Sequence, residues 1–125
     1  MDDKKRILIV DDETGITDML QTYLEGTGRY DVRTANQSQE ALSTAREFQP
    51  HLMLLDVTMP DMDGGEIAAR MENDEQLRGV PIIFLTGIVS DEEVESIGRK
   101  IGNRPVIAKP ATAKTILSYI ERYTE

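Results

Sequence analysis

The sequence predicts an α/β domain built on a five-stranded parallel sheet with helices on both faces. Three features carry that expectation. The short apolar runs are continuous rather than alternating, helical stripes separate them, and the two patterns alternate strand–helix five times over. Continuous apolar runs too short for a core helix read as strands buried on both faces, the mark of a parallel sheet covered by helices. Regular alternation of strand and helix implies βα units rather than segregated layers.

Each element has its own signal. Ile7-Leu8-Ile9-Val10 and Leu52-Met53-Leu54-Leu55 are unbroken apolar runs, and Val80-Pro81-Ile82-Ile83-Phe84-Leu85 is a third. Pro81 stands at the start of that run, where a missing N–H is tolerated. Tyr30–Ala35 alternates, which places it nearer a sheet edge, and Pro105-Val106-Ile107-Ala108 is a short last strand. Ile16, Met19, Leu20, Tyr23 and Leu24 recur at helical spacing and form an apolar stripe closed by Gly26 and Gly28. Ala41, Leu42, Ala45 and Phe48 make a second stripe that stops at Pro50. Ile67, Ala68 and Met71 begin a third helix. Ser90-Asp91-Glu92-Glu93 matches a capping box ahead of Val94, Ile97 and Ile101. Ala113, Ile116, Leu117, Ile120 and Tyr123 form the last stripe.

Composition narrows the function classes. The 125 residues are expected to form a single domain, with a core over about 5–124. There is no cysteine, which excludes a disulfide framework, a thiol nucleophile and a cysteine zinc site. Fourteen basic against 23 acidic residues give a net charge of −9. Direct nucleic-acid binding and anionic membrane surfaces are disfavoured by that charge. No apolar run approaches a membrane span, so a cytoplasmic protein is expected. His51 reads as a surface loop residue and the scattered methionines as core filling.

Chemistry concentrates at the strand ends. Asp11-Asp12-Glu13 follows the first strand, Asp56 the third, Thr86 the fourth and Lys109-Pro110 the fifth. In a parallel sheet all of these emerge at one edge, where ligands of such folds bind. Any single Asp or Thr there is more readily explained as a helix cap. A lysine is not, because cations are disfavoured near helix N-termini. Clustered carboxylates repel unless a cation sits among them, and an all-oxygen set suits magnesium. Asp56, alone at the end of the central run, is then the natural nucleophile, with Lys109 and Thr86 of the right types to meet developing charge on a phosphoryl group.

Asp11-Asp12, Leu54-Leu55-Asp56-Val57-Thr58-Met59-Pro60-Asp61-Met62-Asp63-Gly64, Leu85-Thr86-Gly87 and Ala108-Lys109-Pro110 together resemble the receiver domain of two-component response regulators. The resemblance runs from about Lys5 to Tyr123. It implies a flavodoxin-like doubly wound sheet of order 2-1-3-4-5. Asp56 would be the phosphoacceptor, served by a sensor histidine kinase or a phosphotransfer protein. Asp12, Asp56 and the backbone carbonyl of Thr58 would bind Mg²⁺ directly, and Asp11 through a water. Lys109 would pair with the carboxylate and then with the phosphoryl oxygen, and Thr86 would hydrogen-bond the phosphate. A cis peptide is implied at Lys109-Pro110. The implied output is a phosphorylation-controlled change in protein contacts, passed to a separate target or a fused effector. A homodimer is left open, as is the choice between a stand-alone regulator and a receiver within a longer chain.

Two departures from the family pattern stand out. Val106 and Ala111 occupy positions where an aromatic ring is usual, so either the output is subtler or Val106 is only a strand residue. Ile88 has no polar group to orient an attacking water, which predicts slow phosphate loss, unless Ile88 merely packs. Other functions weigh less. An aspartyl-phosphate phosphatase would carry a second Asp where Thr58 stands. A flavin-mononucleotide domain would need a hydroxyl- and glycine-rich loop in place of Asp11-Asp12-Glu13. A degenerate receiver that binds partners without phosphorylation is opposed by the full set Asp11, Asp12, Asp56, Thr86 and Lys109.

Overall fold

The computed structural model describes residues 4–56, 64–87, 105–108 and 112–124. Five strands run β1 (Lys5–Val10), β2 (Tyr30–Ala35), β3 (Leu52–Asp56), β4 (Ile82–Thr86) and β5 (Val106–Ala108). The described helices are α1 (Thr14–Gly26), α2 (Ser38–Phe48), α3 (Gly64–Glu72) and α4 (Ala113–Thr124). The helix expected after Ser90 lies outside the described residues. All four strand pairings are parallel, in the order β2-β1-β3-β4-β5. The sheet is therefore doubly wound with the order that the family resemblance implied, and the alternating run Tyr30–Ala35 is one of its two edge strands, β5 being the other.

Two cores lie on opposite faces of the sheet. On one face Leu8, Val10, Met53, Leu55, Ile82 and Phe84 meet Ala41 and Ala45 of α2 and Ile67, Ala68 and Met71 of α3. On the other, Ile7, Ile9, Leu52, Leu54, Ile83 and Leu85 meet Leu20 and Leu24 of α1 and Ile116 and Ile120 of α4. Every residue of Ile7–Val10 and Leu52–Leu55 is fully buried, which is why those runs show no polar alternation. Burial of each such side chain contributes about 1.5–3 kcal/mol. Val106 pairs with Phe84 and packs against the first core. Ala111 lies outside the described residues.

Three expectations change in detail. The α1 stripe is wider in the sequence than in the fold: Leu20 and Leu24 are buried, but Met19 and Tyr23 are exposed, and Thr17 is the buried polar member of the helix. Met53 and Met71 fill core space, whereas Met19 does not. His51 is no free surface residue. It is half-buried beside β1, its Nδ1 accepts the Arg6 N–H at 2.9 Å, and its own N–H donates to the Arg6 carbonyl at 2.8 Å.

Candidate phosphoacceptor site

Parallel register brings the acidic residues together. Val10 pairs with Leu55 and Asp56 with Leu85, so Asp11, the residue after β1, and Asp56, the last of β3, lie on neighbouring strands at the carboxyl edge of the sheet. The alternation that turns Ile7, Ile9, Leu52 and Leu54 toward one core continues to Asp11 and Asp56. Carboxylate oxygens of Asp11, Asp12 and Asp56 lie within 4.8 Å of one another. Asp11 and Asp56 are buried and Asp12 is exposed. Thr86 ends β4, one step beyond the partner of Asp56, and is fully buried. It pairs with Ala108, the residue before Lys109. Thr58, Ile88, Lys109 and Pro110 lie outside the described residues.

These aspartates are not helix caps. The N-cap of α1 is Glu13, which makes no side-chain cap hydrogen bond, and α3 begins at Gly64, well past Asp56. Asp11 instead uses Oδ1 to accept the Glu13 N–H at 3.0 Å, which bends the chain between β1 and α1 and brings Asp12 round. Two buried carboxylates beside a third form a concentrated negative site, costly without compensating donors or a cation.

The donor set fits a hard divalent cation. All three ligands are carboxylate oxygens, the chemistry magnesium takes in preference to softer metals. Opposite ligands of a magnesium ion stand about 4.2 Å apart, so carboxylates gathered within 4.8 Å of one another are close enough to share one such ion.

Two further residues build the site, and the sequence reading passed over both. Asn36, just after β2, donates from Nδ2 to the Asp11 carbonyl at 2.9 Å and to Thr17 Oγ1 at 3.0 Å. Thr17 Oγ1 in turn donates to the Thr14 carbonyl at 3.1 Å. The signal was present: Asn36 directly follows the second strand, at the same edge as the aspartates. Thr17 was hidden because it is a polar residue within an otherwise apolar stripe.

Comparison with known proteins identifies the family. Residues 7–121 match the family model of the response regulator receiver domain. The alkaline phosphatase synthesis transcriptional regulatory protein PhoP of Bacillus subtilis is 37% identical over 113 residues, covering 90% of this chain and 45% of the relative. The polar-differentiation response regulator DivK of Brucella anthropi is 31% identical, with 95% of each chain covered. This chain thus spans under half the length of one relative and nearly all of the other. Among solved structures, the chemotaxis protein CheY4 of Vibrio cholerae superposes with a TM-score of 0.86 at 30% identity, covering 97% of this chain and 99% of that one. A CheY-like receiver domain protein from Methanospirillum hungatei gives 0.85 at 32% identity, covering 98% and 94%. The chain belongs to the response regulator receiver domain family, whose members serve phosphorylation-based signalling.

Proposed function

We propose that this chain is a single receiver domain that takes a phosphoryl group onto Asp56 from a phosphohistidine of a sensor histidine kinase or phosphotransfer protein. The observation that carries the reading is the meeting of Asp11, Asp12 and Asp56 at the carboxyl edge of the sheet. Asp56 is held at the end of a fully buried strand, so its carboxylate approaches the donor from a fixed position. One of its oxygens attacks phosphorus; the O–P bond of an acyl phosphate forms as the N–P bond breaks, and the histidine leaves. Lys109 and Thr86 are assigned to the phosphoryl oxygens, the first as a cation and the second as a hydroxyl donor. Asp12, Asp56 and the Thr58 carbonyl would hold Mg²⁺ directly, with Asp11 through a water. When bound, Mg²⁺ supplies positive charge opposite the phosphoryl oxygens.

The donor must bring its histidine to Asp56, so it covers surface beside the β1–α1 turn. Asp18, Met19, Thr22 and Tyr23 line an open groove on α1, one to two turns along. Met19 and Tyr23 are large apolar groups left exposed there, and we assign that groove to the donor protein. The output is a change in protein contacts, made in the cytoplasm. No described helix is long and apolar enough to cross a membrane.

Incubation with acetyl phosphate and Mg²⁺, followed by intact-mass spectrometry, tests the reading. The wild type is expected to gain one phosphoryl group and Asp56→Asn none. Equal labelling of both would move the acceptor elsewhere. Absence of label and of Mg²⁺ binding would favour a phosphorylation-independent interaction module.

A further inference from the structure

The β1–α1 turn that carries Asp11 and Asp12 is tied to the sheet edge from the side. Val10 pairs with Ala35, and the Asp11 N–H still donates to the Ala35 carbonyl at 3.1 Å. The ladder then ends, and the Asn36 side-chain amide reaches the Asp11 carbonyl in place of a further backbone donor. Its second hydrogen goes to Thr17, one turn into α1. The orientation of the amide is fixed by chemistry: a carbonyl only accepts, so the NH2 group must face Asp11. Thr17 is fully buried and spends its own proton on the Thr14 carbonyl, leaving its oxygen to receive Asn36. One side chain thus fixes the end of β1, the end of β2 and the first turn of α1 together. The turn between those points holds two of the three clustered carboxylates.

We propose that Asn36, seated on Thr17, is a positioning residue for the Asp11–Asp12 pair and sets the cation affinity of the site. The inference rests on the reading of the cluster as a Mg²⁺-dependent phosphoacceptor. Asn36 reaches the aspartates through the Asp11 backbone and is assigned no contact with the ion. Groups that orient metal ligands from behind typically govern affinity by about 10- to 100-fold. An isolated capping or packing role would instead move stability alone.

The test is Mg²⁺ titration by calorimetry, alongside urea unfolding, of wild type, Asn36→Leu, Thr17→Val and Thr17→Ser. Asn36→Leu keeps the volume and removes both donors; Thr17→Val removes the hydroxyl and Thr17→Ser restores it. The expected result is a dissociation constant raised about tenfold in Asn36→Leu and Thr17→Val, with Thr17→Ser within about twofold of wild type. The Asn36→Leu, Thr17→Val double variant should lose little more than either single one, because both act through one network. Should Asn36→Leu fail to fold, the Thr17 pair decides. Unchanged Mg²⁺ affinity in folded variants, whatever their stability, would overturn the positioning role while leaving the site reading intact. A wild type that binds no Mg²⁺ would overturn both, and the two failures are distinguished by the wild-type titration.

Discussion

Ser38 shows how much a single buried oxygen can matter. It opens α2 and is buried, and its hydroxyl finds no hydrogen-bond partner among the described residues. Ser suits a helix start only when its oxygen caps a free N–H, and here the N-cap position belongs to Gln37. A buried hydroxyl without a partner costs roughly 1–3 kcal/mol. Ser38→Ala should therefore stabilise the domain by about 1 kcal/mol, read as a higher urea midpoint at unchanged slope. A midpoint lowered by that variant would mean that the hydroxyl is satisfied. The contrast with Asp11 and Asp56 is instructive. Those buried polar groups were legible in the sequence because each follows an apolar run at a strand end. Ser38 and Thr17 were not, because each sits within a helical pattern and only the packing reveals that it faces inward.

At the scale of elements, most of the architecture was legible because fully buried strands leave continuous apolar runs. What periodicity could not supply was the width of each buried face. In α1 the stripe Ile16, Met19, Leu20, Tyr23, Leu24 spans more of the helix than α4 and the sheet cover, and Met19 and Tyr23 remain outside. Those two are assigned to the donor protein, and loss of a well-packed interface anchor costs about 1–2 kcal/mol. Tyr23→Ala with Met19→Ala should slow phosphotransfer from a phosphorylated kinase about tenfold and leave labelling by acetyl phosphate unchanged. Equal slowing of both reactions would place the damage in the site instead of the surface. The end of α2 offers a separate test. Gln49 is exposed at φ 53° and ψ 64°, a left-handed conformation that glycine adopts without strain. Its N–H donates to the Ala45 carbonyl and its own carbonyl accepts Arg6 Nε, both backbone roles that any residue fills. Gln49→Gly should raise stability by about 0.5–1 kcal/mol in urea unfolding, and a loss would assign a hidden role to the side chain.

For the molecule as a whole, acid is where the long-range contacts become measurable. His51 joins the start of β3 to β1 through Arg6, 45 positions away in sequence. Burial, then the nearby charges of Arg6 and Lys5, hold its imidazole below the ordinary value of 6.5. The folded state therefore prefers neutral His51, whose Nδ1 must stay unprotonated to accept the Arg6 N–H. Below pH 6.5 the unfolded chain takes up the proton first, so folding loses stability as pH falls from 6.5 through the lower folded value. Asp74 acts further down the scale. Its hydrogen bond from Arg46, and then the Gln76 N–H, hold its carboxyl below the ordinary 3.8 and tie α2 to the turn after α3. That contribution is complete above 3.8 and fades as pH falls through the lower folded value. Two separate losses are thus expected on acidification, one for each long-range clasp. His51→Gln keeps a side-chain acceptor but removes the titration, so the drop in urea midpoint between pH 7 and pH 5 should shrink while the drop below pH 4 persists. Asp74→Asn should do the reverse. If His51→Gln left the upper drop untouched, the imidazole would not be the group that couples these strands to pH.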